Sequence, residues 1–228
     1  MKLLAIETAT EACSVALWDE GEVRERFDIV PRRHAELALP WAEQLLAGSG
    51  VARSQLDAIA VGRGPGAFTG VRLAVALAQG IALALDRPVV PVSTLAALAM
   101  QAQGERTIAA IDARMGEIYV AAFARDGESV IATSDEIVVA PAAYPLPGGD
   151  GWMGVGTGFA AVDGALQSRG GDRFARVDPT ALPHAADVAR LGAIAFARGE
   201  ALAPERVEPA YLRNNVALTL AEQRDRKG

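Results

Sequence analysis

The apolar positions of the first thirty residues follow the short patterns of β-strands. Three such segments are predicted, at residues 2–6, 12–18 and 22–29. The third alternates apolar and charged side chains, so one of its faces contacts water. Because only short turns separate the segments, with Asp-Glu-Gly at 19–21, we expect the three strands to form an antiparallel meander.

After this meander the pattern changes to a helical period. Leu37, Trp41 and Leu45 lie four residues apart and predict a helix, with Pro40 at its start or at a kink. Ser93 is expected to cap a later helix. The intervening segments alternate in type: strand 58–62, helix 68–85 and strand 89–92. A meander followed by alternating helices and strands predicts a mixed sheet in an α/β domain.

A weaker copy of this pattern starts after residue 104. The segment 5–7 (AIE) is echoed by 110–112 (AID), an offset of 105 residues, and 19–22 is echoed by 125–128, an offset of 106. Actin-like phosphotransferases consist of two α/β halves, each with an acidic residue at the end of its first strand. Chance similarity between two short hairpins is the alternative. We predict an N-terminal lobe at residues 1–103 and a smaller C-terminal lobe at 104–228.

The second half carries fewer clear signals. Its Pro- and Gly-rich stretch at 141–150 predicts a surface loop. The remaining predicted elements are a strand at 152–156, helices at 159–167 and 184–198, and a terminal helix at 216–224 that returns to the first lobe.

Composition and charge narrow the function classes. The chain has 228 residues, of which 51% are hydrophobic, and a net charge of −6, which disfavours non-specific binding to nucleic acid or to acidic membranes. The single cysteine, Cys13, excludes an internal disulfide and fits the cytoplasm. The longest apolar stretch, 73–85, contains Gln79 and Gly80 and is too short to span a bilayer, so we expect a buried helix there.

Two turns are candidates for binding phosphate. Residues 7–10 (ETAT) lie at the first hairpin, where actin-like ATPases carry an Asp and a Gly; an ordinary hairpin is the alternative. Residues 62–72 (GRGPGAFTGVR) join a strand to a helix N-terminus, which is a favourable place for an anion. The candidates for contact with a nucleotide are Thr8, Thr10 and Thr69.

The helix at 68–85 has rows of small side chains. Gly66, Gly70, Ala74, Ala78 and Ala82 form one row, and Ala76, Gly80 and Ala84 form another. A row of large side chains comprises Leu73, Leu77, Ile81 and Leu85. We expect the large row to face the sheet of its own lobe. The small rows then either pack within the lobe or allow a helix of another subunit to approach closely.

Metal and nucleophile chemistry finds little support. The only histidines, His34 and His184, are far apart in sequence, and no metal-binding motif surrounds them. Cys13 is expected to be an inert buried thiol. Asp112 and Arg114 are expected to form a structural ion pair across the second hairpin.

Four strings in this order carry a resemblance to a known family. They are LAIETATEACSVAL (4–17), GPGAFTGVRL (64–73), IDARMGEIY (111–119) and PAYLR (209–213). With them the whole chain resembles the TsaB (YeaZ) family of bacterial tRNA threonylcarbamoyladenosine biosynthesis proteins. The resemblance implies an actin-like (ASKHA) two-lobed α/β fold, in which two ribonuclease-H-like halves contain mixed sheets.

The resemblance also implies a function. Members of the family help to install threonylcarbamoyl on the adenosine next to the anticodon of tRNAs that read codons starting with A. They act as non-catalytic partners of the catalytic paralogue TsaD and of the ATPase TsaE, while a separate enzyme makes the threonylcarbamoyl-adenylate donor. The implied contact with tRNA is made through the complex. Any ATP or ADP would bind at the partner interface rather than firmly to this chain.

The resemblance further implies which residues matter. Where the catalytic paralogue has two metal-binding histidines, this chain has Thr94 and Leu98, so neither metal-dependent catalysis nor a metallopeptidase site is expected. The N-terminal lobe is expected to pair with TsaD, or with a second copy of itself, through its first two long helices. The expected interface consists of Leu37, Trp41, Leu45, Phe68, Gly70, Arg72, Ala74, Val75 and Ala78. The competing hypothesis is an autonomous sugar-kinase-like or ATPase enzyme on the same fold.

Overall fold

A computed structural model describes residues 1–213 of the chain. The predicted helix at 216–224 lies outside the described residues. The first half forms a five-stranded sheet from β1 (Lys2–Glu7), β2 (Ala12–Asp19), β3 (Glu22–Ile29), β4 (Ala58–Gly62) and β5 (Val89–Val92). The second half forms a six-stranded sheet from β6 (Arg106–Arg114), β7 (Glu117–Asp126), β8 (Ser129–Ala132), β9 (Ile137–Val139), β10 (Trp152–Val155) and β11 (Phe174–Asp178).

The two sheets have the same topology. The first has the order β3-β2-β1-β4-β5, and the second has the order β8-β7-β6-β10-β11, with β9 paired to β7. In both, the meander is antiparallel and the last two strands run parallel to the first. The predicted duplication and the actin-like α/β fold with mixed sheets are therefore confirmed. Strands β8, β9 and β11 carried too weak a pattern to be predicted.

Within residues 1–213, five α-helices cover the sheets: α1 (His34–Gly48), α2 (Phe68–Leu85), α3 (Thr94–Ala99), α4 (Ala161–Gly170) and α5 (Ala185–Ala197). The predicted bounds of α2 are confirmed, and Pro40 lies inside α1 rather than at its start. Ser93 caps α3 by accepting a 3.0 Å hydrogen bond from the N–H of Ala96. The predicted helices at 159–167 and 184–198 correspond to α4 and α5.

The alternation of side chains along β1 divides the core of the first lobe into two layers. Leu4 and Ile6 pack under α1 and α2. Leu3 and Ala5 point to the opposite face, where α5 covers them. Helix α5 belongs by sequence to the second half but packs on the first sheet, so it ties the two halves together. The predicted lobe boundaries stay a prediction.

The second sheet is also covered on both faces. Helix α3 packs on one face, through Leu95 and Leu98. Helix α4 contributes Leu166 to the other face, where Phe159 is fully buried. The molecule is thus built in layers, and α3 lies between the two sheets.

Candidate ligand cleft and partner face

The glycine-rich string at 62–72 holds the start of α2 against the tip of the first hairpin. The N–H of Ala67 donates a 2.7 Å hydrogen bond to the carbonyl oxygen of Ala9. A side chain at Gly66 would overlap the carbonyl of Ala9, and one at Gly70 would overlap the carbonyl of Thr8. These two glycines are therefore required for the close approach of two backbone segments.

A cleft of about 780 Å³ separates the two lobes beside this junction. Both hairpin tips line it, as do the first turns of α1 and α2. The polar side chains around the cleft include Thr10, Arg32, His34, Thr69, Arg114 and Arg213. A cleft of this size with converging polar groups is where small ligands usually bind.

Of the three threonines predicted to contact a nucleotide, two lie in the cleft and one does not. Thr10 and Thr69 line the cleft. Thr8 is fully buried, and its hydroxyl donates a 2.7 Å hydrogen bond to the carbonyl of Gly70. Thr8 therefore faces α2 and fixes the hairpin rather than facing the cleft.

Charged groups on the second hairpin are engaged in ion pairs. The predicted pair is confirmed, because Arg114 Nη1 lies 2.8 Å from Asp112 Oδ2. Arg213 Nη2 lies 2.5 Å from Glu117 Oε2 and also donates to the carbonyl of Ala113. These contacts attach the segment after α5 to the tip of the second hairpin.

The positions expected to replace metal ligands are both part of the core. Thr94 is buried, and its hydroxyl donates to Glu7 Oε2 at 2.8 Å while accepting a bond from the N–H of Gly64. Leu98 is fully buried between the sheets. Within residues 1–213, no three His, Cys, Asp or Glu side chains lie close enough together to hold a metal ion. Cys13 is buried, and burial raises the pKa of its thiol to about 11.

The expected orientation of α2 is wrong. Ala74, Ala78 and Ala82 are fully buried against the first sheet, and Val75 is 4% exposed. Small side chains let the backbone of α2 approach the sheet closely, whereas the large row lies half-buried along the flanks of the helix. Ala74, Val75 and Ala78 are therefore too deeply buried to contact a partner in this fold. At Gly70, the space where a side chain would lie is filled by the carbonyl of Thr8.

Other expected interface residues are accessible to different extents. Phe68 is 63% exposed, Leu37, Trp41 and Arg72 are half-buried, and Leu45 is buried in the core. The second predicted row of small side chains, Ala76, Gly80 and Ala84, lies on the exterior of α2. Sequence reasoning missed two exposed residues beside this row: Leu83 of α2, and Leu39 of α1, which lines a groove together with Ala84.

Helix α2 therefore has an outer face without charged side chains over its C-terminal half. The mean hydropathy of α2 is 1.7, so by length and composition alone it could cross a membrane. Core helices of soluble proteins can have the same length and hydropathy, but they are mostly buried, whereas only 33% of α2 is buried. Leu83 is 64% exposed, and a side chain added at Gly80 would meet open space. We call Leu39, Ala76, Gly80, Leu83 and Ala84 the outer apolar face.

At the cleft end of α2, one arginine lies close to two aromatic rings. The guanidinium carbon of Arg72 lies 3.1 Å from the ring centre of Phe68 and 4.7 Å from that of Tyr211. Both rings are more than half exposed. Arginine and aromatic side chains of this kind dominate the energetics of many protein interfaces.

Comparisons with known proteins give the relationships of the chain. The family described as "TsaD: tRNA N6-adenosine threonylcarbamoyltransferase" matches residues 28–220. The tRNA threonylcarbamoyladenosine biosynthesis protein TsaB of Escherichia coli K12 is 42% identical over 227 residues, covering 95% of this chain and 96% of that protein. Its counterpart in Haemophilus influenzae is 37% identical, with 95% of each chain covered.

A solved structure extends this similarity to the fold. YeaZ from Pseudomonas aeruginosa is 44% identical, with a TM-score of 0.87, and the match covers 92% of this chain and 99% of that one. High identity over nearly the full length of both chains confirms the resemblance carried by the four sequence strings. The chain therefore belongs to the TsaB (YeaZ) family of tRNA threonylcarbamoyladenosine biosynthesis proteins.

Proposed function

We propose that this chain is a non-catalytic subunit required for forming threonylcarbamoyladenosine next to the anticodon of tRNAs that read A-starting codons. It binds the catalytic relative TsaD, acts with the ATPase TsaE, and contacts tRNA through the complex. The observation that carries this proposal is the outer apolar face of α2, which residues 1–213 leave in water. A partner that covers this face removes apolar surface from solvent, which favours association.

The contact we propose differs from the one expected from sequence. It uses Leu37, Trp41, Phe68 and Arg72 together with the outer apolar face. Ala74, Val75 and Ala78 only hold α2 against its sheet. Without TsaD, a second copy of the chain is the alternative occupant. The proposal places the chain in the cytoplasm, with protein rather than lipid covering α2.

The proposal includes a role for nucleotide in the cleft. Thr10 and Thr69 are suitable for contact with ATP or ADP, because both line the cleft. Thr8 is unsuitable because its hydroxyl is used by Gly70. Binding need not be firm in the isolated chain, since the partner would complete the site.

The cleft also keeps the second hypothesis, an autonomous ATPase or sugar kinase, open to test. That enzyme would need a catalytic acid in the cleft. Glu7 lies behind the hairpin, and Asp112 is paired with Arg114. An ATPase assay on the isolated chain decides: turnover that is lost in Asp112→Asn supports the enzyme, and no turnover supports the scaffold.

The direct test of the function is an omission experiment. The reaction contains TsaD, TsaE, the adenylate-forming enzyme, threonine, bicarbonate, ATP and tRNA, and the modified nucleoside is measured by mass spectrometry. We expect product only when this chain is added. Equal product with and without the chain would contradict the proposal.

A further inference from the structure

A groove runs between α1 and α2 on the outside of the first lobe. It has a volume of about 230 Å³, and its lining is apolar except for Glu43 and Arg53, which are exposed and pair with each other at 2.7 Å. Leu39 of α1 and Ile81 and Ala84 of α2 contribute to the apolar lining. Because Leu39 and Ala84 also belong to the outer apolar face, the groove and this face form one continuous surface.

The described part of the chain ends beside α2. The side-chain amide of Gln79 donates a 2.9 Å hydrogen bond to the carbonyl oxygen of Pro204, so the chain after α5 follows the helix. It then reaches the first turns of α2, where the ring centre of Tyr211 lies 4.7 Å from the guanidinium carbon of Arg72. Residues 214–228 therefore continue from a point close to the outer apolar face.

The residues after 213 have their apolar side chains in one block. Five of the six residues at 216–221 (VALTLA) are hydrophobic, whereas 222–228 (EQRDRKG) contains no hydrophobic residue. Val216 and Leu220 lie four residues apart, so they share a face in a helix and in a strand alike. The two asparagines at 214–215 are of a type favoured in turns. This order of residues favours a chain that reverses and covers an apolar surface with the block.

The block is long enough to reach the groove. Arg72 and Ala84 are twelve residues apart in α2, which corresponds to about 18 Å along the helix axis. Leu220 is nine residues beyond Tyr211, and an extended chain of that length spans about 30 Å. The difference leaves length for the chain to cross the surface of α2.

Charge also favours this direction along α2. The C-terminal end of α2 carries the partial negative charge of its carbonyl groups, with the exposed Asp86 after it and no basic residue in its last turn. Residues 222–228 have three basic side chains, at 224, 226 and 227, and two acidic ones. A block bound near Ala84 brings these basic side chains to the negative end of the helix.

We propose that residues 216–221 bind back in the groove between α1 and α2 and compete with a protein partner for the outer apolar face. The covalent tether gives the block an effective concentration on the order of millimolar, so a weak contact is sufficient to hold it. A partner displaces the block when it binds, and the block therefore lowers the apparent affinity for the partner. The competition rests on the proposed contact with TsaD, whereas the docking of the block does not.

Disulfide cross-linking in the full chain tests the docking. Ala84→Cys is combined with Thr219→Cys, because Thr219 lies in the block without being one of its hydrophobic residues. The control combines Ala84→Cys with Gly228→Cys, which lies on the same tail outside the block. The native Cys13 is buried. After mild oxidation, mass spectrometry of the unreduced digest measures the disulfide, and we expect it to form about tenfold faster at 84 and 219 than in the control.

The cross-linking result also has a matched disruption. Adding Val216→Asp and Leu220→Asp should slow the pair at 84 and 219 to the rate of the control, because a carboxylate is unfavourable in an apolar groove. Equal rates for the two cysteine pairs overturn the docking. Disulfides that join two chains, seen as a dimer on a non-reducing gel, also overturn it, because the occupant is then a second copy.

Titration calorimetry with TsaD tests the competition. The full chain with Val216→Asp and Leu220→Asp should bind TsaD about tenfold more tightly than the unmodified chain. Gln223→Asp with Gly228→Asp adds the same charge outside the block and should bind as the unmodified chain does. Equal affinities for all three chains refute the competition. If none of the chains binds TsaD, the proposed function fails instead, and the cross-linking still decides the docking, so the two failures are distinguishable.

Discussion

The hydroxyl of Thr94, at the start of α3, donates a 2.8 Å hydrogen bond to Oε2 of Glu7, at the end of β1. The other carboxylate oxygen accepts a 2.7 Å bond from the N–H of Ala9. Glu7 is 1% exposed, and a side chain at Gly62 would overlap its carboxylate. The acid at the tip of the first strand is therefore fixed between the first hairpin and α3, and its oxygens are used within the protein.

This burial makes Glu7 a source of pH-dependent stability. Burial raises its pKa to about 7, against the lowering effect of hydrogen bonds from Ala9 and Thr94. A pKa above the unfolded value means that its stabilising contribution is complete below pH 4.5 and is lost as the pH rises to about 7. That loss is on the order of 3 kcal/mol.

Glu7→Gln should remove this part of the pH dependence. We expect the free energy of unfolding of the unmodified chain to fall between pH 5 and pH 8 by more than that of the variant, as measured by urea denaturation. Glu11→Gln, a change at a less buried acid on the same hairpin, is the matched control and should retain the fall. Parallel curves for the chain and Glu7→Gln would contradict the prediction.

A second pH-dependent contact joins the two halves of the chain at the start of α5. His184 Nδ1 lies 2.8 Å from Glu25 Oε2, and the His184 ring stacks on Phe27 with centres 4.0 Å apart. The hydrogen bond to Glu25 raises the pKa of His184. Burial alone would raise the pKa of Glu25, but hydrogen bonds, first among them the one to His184, lower it overall. The ion pair is therefore complete above the usual pKa of glutamate and below that of histidine.

His184→Gln should lose the stabilisation that the chain shows at mildly acidic pH. The contribution of His184 is present below pH 6.5 and is lost as the pH rises through its raised pKa. We expect the destabilisation caused by the substitution to be larger at pH 6 than at pH 9 in thermal unfolding. An equal effect at both values would show that His184 acts only through packing on Phe27.

Two glycines of α2, Gly70 and Gly80, differ in the side chains that they tolerate. Gly70→Ala should destabilise the first lobe by more than about 2 kcal/mol, because the added methyl group overlaps the carbonyl of Thr8. Gly80→Ala in the same helix meets open space and should stabilise the chain by about 1 kcal/mol. Urea denaturation of both variants tests the comparison, and similar effects at the two sites would contradict it.

The buried and exposed sides of α2 should respond differently to substitution. Ala78→Leu overpacks the contact between α2 and its sheet and is expected to cost about 1–3 kcal/mol of stability.

Leu83→Glu is on the surface and should change stability by less than about 0.5 kcal/mol. It should nevertheless prevent TsaD from eluting with the chain in size-exclusion chromatography. Ile131→Glu, at a similarly exposed residue of β8, is the control that should still bind.

Most of the architecture could be predicted because its signals are local. The strands at 2–7, 12–19 and 22–29, and the bounds of α2, follow from hydrophobic period and turn residues. The duplication was visible in two short echoes and is confirmed by the identical strand order of the sheets. Strand β11, with two exposed residues at its centre, lacks such a pattern, and its pairing with β10 is a tertiary effect.

The orientation of α2 could not be read from its sequence because nearly all its positions are apolar. Periodicity distinguishes inner from outer faces only when one of them is polar. The choice was made by side-chain size, since Ala74, Ala78 and Ala82 allow close contact with the sheet. Part of the cleft could be predicted, because the two turns proposed to bind phosphate, at 7–10 and 62–72, both contribute residues to its lining. The contribution of the first turn of α1 could not, because it depends on tertiary packing.

The most direct test of the central claim is the yield of threonylcarbamoyladenosine with Leu83→Glu in place of the unmodified chain. The complete reaction is assembled with TsaD, TsaE and the donor-forming enzyme, and the nucleoside is measured by mass spectrometry. We predict that Leu83→Glu gives the yield of a reaction lacking this chain, while Ile131→Glu gives the full yield. Full product with a folded Leu83→Glu variant would contradict the claim that the chain acts through the outer apolar face of α2.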